Sequence, residues 1–259
     1  MKKSSVSYIY WVVFFVLVIV IIIGTYGYNT GSCKINKKYP CSDDFCLYKE
    51  FNVSFREPVK NEIDSMMDNK QIQKRVNIET FQETILNCAL PNKKGVTIST
   101  ANVVKHAPNL VDFYKNDLCK MASDQLKMKL FPTDLHLPTS CVILIYENEG
   151  DWINWHYDHN YYDGRFFTLL VPITTNATCT EFQFMNDKNE VKSVNMANGN
   201  SICFEGNYLY HRASKLCKNE KRAILSCQYV TDNNMSTLNK IRLKLKDFAY
   251  TGKIGILHP

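Results

Sequence analysis

Apolar and polar positions change texture three times along this 259-residue chain. From Tyr8 to Tyr28 the run YIYWVVFFVLVIVIIIGTYGY carries no charge. A bilayer core takes roughly 20 apolar residues in a helix, so the run predicts one transmembrane helix. Tyr8, Tyr10 and Trp11 near one end and Tyr26 and Tyr28 near the other suit the headgroup region. The run is longer than the apolar stretch of about 7–15 residues in a cleaved signal peptide, and no small-x-small site follows it. From Pro58 to about Leu130, Leu110, Phe113, Tyr114, Leu118, Met121, Ala122 and Leu126 recur at three- and four-residue steps, which predicts helices with one buried stripe. Beyond Pro132 come short β-branched and aromatic runs separated by Gly, Asn and Asp. Residues 141–146, 152–158, 165–173, 180–184, 201–206 and 222–230 read as strands, in the rhythm of an antiparallel sandwich or barrel. The predicted order is a tail (1–7), an anchor (8–28), a polar stem (29–57), a helical region (58–132) and a β domain (133–259).

Composition adds a compartment. Charged residues make up 22% and the formal charge of +6 is spread along the chain, so nucleic acid is not an implied partner. Lysines flank the apolar run on both sides, which leaves the positive-inside rule undecided. All ten cysteines, Cys33, Cys41, Cys46, Cys88, Cys119, Cys141, Cys179, Cys203, Cys217 and Cys227, follow the run. So do three glycosylation tripeptides beginning at Asn52, Asn176 and Asn234. Together they predict a single-pass type II membrane protein with its C-terminal domain lumenal or extracellular. Cys33, Cys41 and Cys46 lack the paired spacing of a zinc site and read as disulfide partners in the stem.

Chemistry concentrates in one tripeptide and one distant histidine. His156 and Asp158 sit two apart in a strand-like run, and alternation turns such a pair to one face. A second imidazole from a neighbouring strand completes a two-His, one-carboxylate metal face with open positions. His211, between SICFEGNYLY and RAILSCQYV, is the candidate. Trp155 and Tyr157 fall on the opposite strand face as packing residues, and His159 reads as a loop residue turned away from the metal.

The order of motifs resembles the prolyl 4-hydroxylase-like branch of the 2-oxoglutarate/Fe(II) oxygenases. Tyr146 stands ten positions before His156, Arg165-Phe166-Phe167-Thr168-Leu169-Leu170 follows, and Thr180-Glu181-Phe182 fills a T-x-F slot. Gly199 precedes SICF, and Lys221 and Arg222 follow His211. The similarity spans Leu137 to Val230. It implies a double-stranded β-helix (jelly roll) preceded by helices, with Fe(II) on His156, Asp158 and His211. It implies 2-oxoglutarate as cosubstrate, with Tyr146, Thr168 and either Lys221 or Arg222 in its pocket, and ascorbate as an accessory reductant. Lys221-Arg222-Ala223-Ile224 aligns best with Lys221 inward, whereas Arg222 offers the better bidentate geometry for a carboxylate. The implied reaction hydroxylates a C–H bond, most simply of a prolyl or lysyl side chain in a protein, although a small-molecule substrate is chemically open, with succinate and carbon dioxide released.

Two features depart from the pattern. Ala177 and Thr178 replace the glycines expected before T-x-F, which alters a turn beside the metal. Cys179 and Cys217 fall in loops near the expected mouth, where a disulfide could cross it, while Cys141, Cys203 and Cys227 read as buried thiols. The competing reading is a disulfide-stabilised surface or envelope protein that keeps the jelly roll as a scaffold without catalysis.

Overall fold

The computed structural model describes residues 10–11, 14–19, 48–79, 92–175, 177–186, 188–194, 196, 199–241 and 243. Cys33, Cys41, Cys46 and Cys88 lie outside these, as does much of the apolar run. Residues 10–11 and 14–19 are helical. Among the described residues, however, no helix is long and apolar enough to cross a membrane. That finding overturns the expected single-pass arrangement, because the described helical stretch falls well short of the roughly 20 residues a bilayer core requires.

Twelve strands form one curled sheet among the described residues. In chain order they are β1 (Tyr48–Asn52), β2 (Lys74–Ile78), β3 (Lys93–Ile98), β4 (Phe131–Pro132), β5 (Cys141–Tyr146), β6 (Trp152–His156), β7 (Phe166–Thr175), β8 (Phe182–Met185), β9 (Val191–Val194), β10 (Asn200–Glu205), β11 (His211–Ala213) and β12 (Arg222–Val230). Their lateral order is β1-β10-β7-β12-β5-β3-β6-β11-β8-β9, with β2 on β3 and β4 on β12, and every pairing is antiparallel. The two ends of this order meet. Tyr48 of β1 lies 5.1 Å from Phe184 of β8, and Phe182 of β8 lies 5.2 Å from Phe204 of β10, ring centre to ring centre. The sheet therefore curls on itself into the half-barrel of a jelly roll, and the fold is mostly β with helices on one side.

Those helices are α1 (Glu57–Asp68), α2 (Thr100–His106), α3 (Pro108–Phe113) and α4 (Cys119–Leu126), with a wide turn at Tyr114–Leu118 joining the last two. The stripe seen in the sequence is their buried face: Leu110, Tyr114, Leu118 and Ala122 are fully buried. The stem and the helical region also contribute β1, β2 and β3, which the sequence reading had not separated from loop and helix.

Alternation assigns each face of the sheet a job. Cys141, Ile143 and Ile145 of β5, Phe167, Leu169 and Val171 of β7, and Ala223, Leu225, Cys227 and Tyr229 of β12 pack into the core shared with the helices. Their neighbours, Val142, Leu144 and Tyr146, Phe166, Thr168 and Leu170, and Arg222, Ile224, Ser226 and Gln228, line a cavity on the opposite face. The core is close-packed, with Ile143 entirely buried. Truncating Ile143 to Ala is expected to cost about 2–5 kcal/mol, read as a lower urea midpoint at unchanged slope.

Candidate metal and cosubstrate site

His156 ends β6, and His211 opens β11 directly opposite it in the antiparallel register. Their rings lie 4.2 Å apart between centres. Asp158 sits just past the end of β6, not within the strand, and is drawn in by its backbone N–H, which donates to the Gly206 carbonyl at 2.9 Å. His156 Nε2 is 3.7 Å and His211 Nε2 is 4.0 Å from Asp158 Oδ1. The sequence pairing of two histidines and an aspartate is thus a spatial cluster, with all three ligand atoms within 4.8 Å of one another.

Each side chain is oriented from behind. His156 Nδ1 meets the Asn154 carbonyl at 2.7 Å and His211 Nδ1 meets the Leu209 carbonyl at 2.8 Å. A carbonyl only accepts, so both Nδ1 atoms carry a proton and both Nε2 atoms are turned toward Asp158. Thr168 donates to Asp158 Oδ2 at 2.5 Å, which leaves Oδ1 toward the histidines. Burial first, and then His211, push His156 down to about 3 against the opposing pull of Asp158. Its imidazole is consequently neutral at physiological pH, the form that binds a metal.

Gly206 shapes this cluster, and the sequence reading passed over it. A Cβ built there would stand 2.5 Å from Asp158 Oδ2 and 2.7 Å from Asp158 Cβ. No real Cβ tolerates such contacts, so only glycine lets the carboxylate close on the histidines. Gly206→Ala is expected to weaken Mn(II) binding by about 10–100-fold while the protein stays folded, as titration calorimetry beside circular dichroism would report.

The cavity has a volume of about 180 Å³ and holds the cluster at one side and Arg222 at another. Arg222 is 4% exposed. One of its amino groups, Nη2, donates to Met196 Sδ at 3.3 Å, and the other, Nη1, is buried with no hydrogen-bond partner among the described residues. Its guanidinium lies 5.8 Å from the centre of the Tyr146 ring, the residue paired with it across β5 and β12. Burial pushes the Tyr146 phenol up to about 12, with Arg222 opposing, so it remains a donor. Burial also lowers Arg222.

Several expectations change here. Lys221 precedes β12 and does not line the cavity, whereas Arg222 does. The reason is register: with Ala223, Leu225, Cys227 and Tyr229 committed to the helical core, Arg222 must face the other way. His159 is in a loop, as expected, but lines the cavity. Tyr157 also reaches it while packing on Tyr210 at 4.9 Å. Trp155 is a packing residue, stacked on Tyr210 at 5.3 Å with the Arg212 guanidinium 4.6 Å from its ring centre. Cys179 and Cys217 are disulfide-bonded, and Glu220 braces that loop by accepting from the Thr178 and Cys179 backbones at 2.6 and 2.9 Å. Cys119, Cys141, Cys203 and Cys227 are buried free thiols.

No known sequence family matches the chain, and no curated protein does. Its structure is nevertheless similar to solved oxygenases. A 2OG-Fe(II) oxygenase family oxidoreductase from Burkholderia pseudomallei superposes with a TM-score of 0.56 at 13% identity, over 74% of this chain and 88% of that one. EctD from S. alaskensis, solved with 2-oxoglutarate and 5-hydroxyectoine, gives 0.53 at 13% identity over 78% of each chain. The α-ketoglutarate-dependent carbocyclase SnoK from nogalamycin biosynthesis gives 0.53 at 10% identity, over 73% of this chain and 81% of that one. The fold is that of the 2-oxoglutarate/Fe(II) oxygenases.

Proposed function

We propose that the protein is an Fe(II)- and 2-oxoglutarate-dependent dioxygenase that hydroxylates a C–H bond. The observation that carries this reading is the coexistence, in one cavity, of a two-His, one-Asp donor cluster and a buried Arg222 whose Nη1 has no partner among the described residues. The donor set suits a six-coordinate divalent metal with open positions. His156, Asp158 and His211 would hold it, and bound iron would supply oxygen activation coupled to decarboxylation of the keto acid.

The chain's own residues do the rest. The Asn154 and Leu209 carbonyls keep both Nε2 atoms free for the metal, and Thr168 fixes the rotamer of Asp158. Thr168 therefore acts on a ligand, although it also lines the cavity. Arg222, with Tyr146 paired across from it, takes the distal carboxylate of 2-oxoglutarate, because a charge-assisted pair satisfies Nη1. The apolar wall of Val142, Leu144 and Ile224 excludes water between these two ends. A prolyl or lysyl side chain remains the substrate class favoured by the motif order, and the unit that carries the activity runs through the strands from β1 to β12.

The purified protein, given Fe(II), ascorbate and carboxyl-labelled 2-oxoglutarate, should release labelled carbon dioxide. A protein that binds neither Mn(II) nor 2-oxoglutarate under the same conditions would be a scaffold instead.

A further inference from the structure

Lys93 is a cation of the cavity that the reading above leaves without a task. It lies on β3, paired with Ile153 of β6, and its side chain lines the same cavity as His156, Arg222 and Tyr146. Across the sheet, Arg222 pairs with Tyr146 and Val96 with Ile145, so Gly95 falls opposite Tyr146. Lys93 has the same parity two residues further along β3, and therefore shares the inward face of that row. Its ammonium donates to Thr97 Oγ1 at 3.2 Å, a neutral hydroxyl. None of the ion pairs among the described residues includes Lys93.

A cation in such a place is costly unless an anion joins it. Asp158 supplies the single carboxylate among the lining residues. Resting on the proposed activity, the charges can be matched. A divalent metal and Arg222 balance Asp158 together with the two carboxylates of 2-oxoglutarate. Lys93 is then left over as a positive charge on the inner wall. Arg212 also borders the cavity, but it is engaged at the rim, stacked on Trp155 and donating from Nε to Gln183 Oε1 at 2.7 Å.

We infer that Lys93 is a specificity-determining residue that anchors a carboxylate of the primary substrate. The substrate is accordingly an acid: a free amino acid, or a side chain presented beside a carboxylate. A neutral analogue would leave the half-buried ammonium with the Thr97 hydroxyl but no anion, so the site disfavours it by the same physics that makes an uncompensated cation in a cavity expensive.

The test uses the full-length protein loaded with Mn(II) and 2-oxoglutarate. The probes are acetate and N-acetyl-L-proline, each compared with its own amide, and the readout is relaxation of the probe's protons by the bound Mn(II). Wild type is expected to relax both acids at least about ten-fold more than the amides. Lys93→Gln should abolish that preference, and Lys93→Arg should keep most of it. Affinity for Mn(II) and 2-oxoglutarate should be unchanged in both variants, which also certifies their fold. Equal relaxation of acids and amides, no relaxation by either, or a preference that survives in Lys93→Gln would overturn the inference. So would a Lys93→Gln protein that loses 2-oxoglutarate instead, since Lys93 would then serve the cosubstrate. Failure of wild type to take up Mn(II) and 2-oxoglutarate would refute the proposed activity itself, and shows before any probe is added.

Discussion

Asp158→Ala is expected to abolish labelled carbon dioxide release from 2-oxoglutarate, to below about one part in a thousand of wild type, and to weaken Mn(II) binding by at least about 100-fold. The reasoning starts from what remains. His156 and His211 would still present two Nε2 lone pairs, because the carbonyls that hold their Nδ1 protons belong to the backbone and do not move with Asp158. Two neutral imidazoles bind a divalent metal weakly, and no other carboxylate among the lining residues then offsets its charge. The apo fold should survive. Asp158 is the one carboxylate among the lining residues, beside the half-buried His156 and the buried His211, and a hydrogen bond that the apo protein loses is the one from Thr168. Equal turnover in the variant and in wild type would refute the metal assignment, and metal analysis of the variant by mass spectrometry would locate the fault.

The two ends of this site were legible in the sequence to different degrees. The cluster at His156, Asp158 and His211 was readable because a tripeptide and a motif order mark it. The reason given for it was partly mistaken, since Asp158 lies beyond β6 and is brought in by Gly206. Gly206 itself could not be singled out from the glycine alone, because the atom it makes room for comes from a residue almost fifty positions earlier. Lys93 was hidden for another reason: β2 and β3 lie between α1 and the three helices α2, α3 and α4, so local periodicity there reads as helical until a sheet supplies its partners. Arg222 is the instructive case. The alternation Ala223, Leu225, Cys227, Tyr229 was in plain view, and a committed apolar face leaves the odd-numbered positions toward the helices and the even-numbered ones toward the cavity. Weighing that alternation above motif similarity would have chosen Arg222 over Lys221.

Arg222→Met is expected to raise the dissociation constant for 2-oxoglutarate by about 100–1,000-fold in the Mn(II)-loaded protein, the equivalent of about 3–4 kcal/mol, with Mn(II) affinity unchanged. The guanidinium is almost wholly buried, its Nη1 has no partner among the described residues, and Nη2 donates to a methionine sulfur, a weak acceptor. Such a group is destabilising in the empty protein, because burial removes its water without replacing the hydrogen bonds. The same substitution should therefore raise the stability of the ligand-free protein, by about 1–3 kcal/mol in urea titration. Opposite signs for cosubstrate affinity and apo stability distinguish a ligand-binding cation from a structural one, whose loss would lower stability and leave 2-oxoglutarate binding alone. Lys221→Gln is the internal control. It sits one position away with the opposite parity, outside the cavity, and should leave 2-oxoglutarate affinity within about two-fold of wild type. A large effect at Lys221 and none at Arg222 would mean that the last strand is shifted by one residue, and every inward-facing residue of β12 would have to be exchanged for its neighbour.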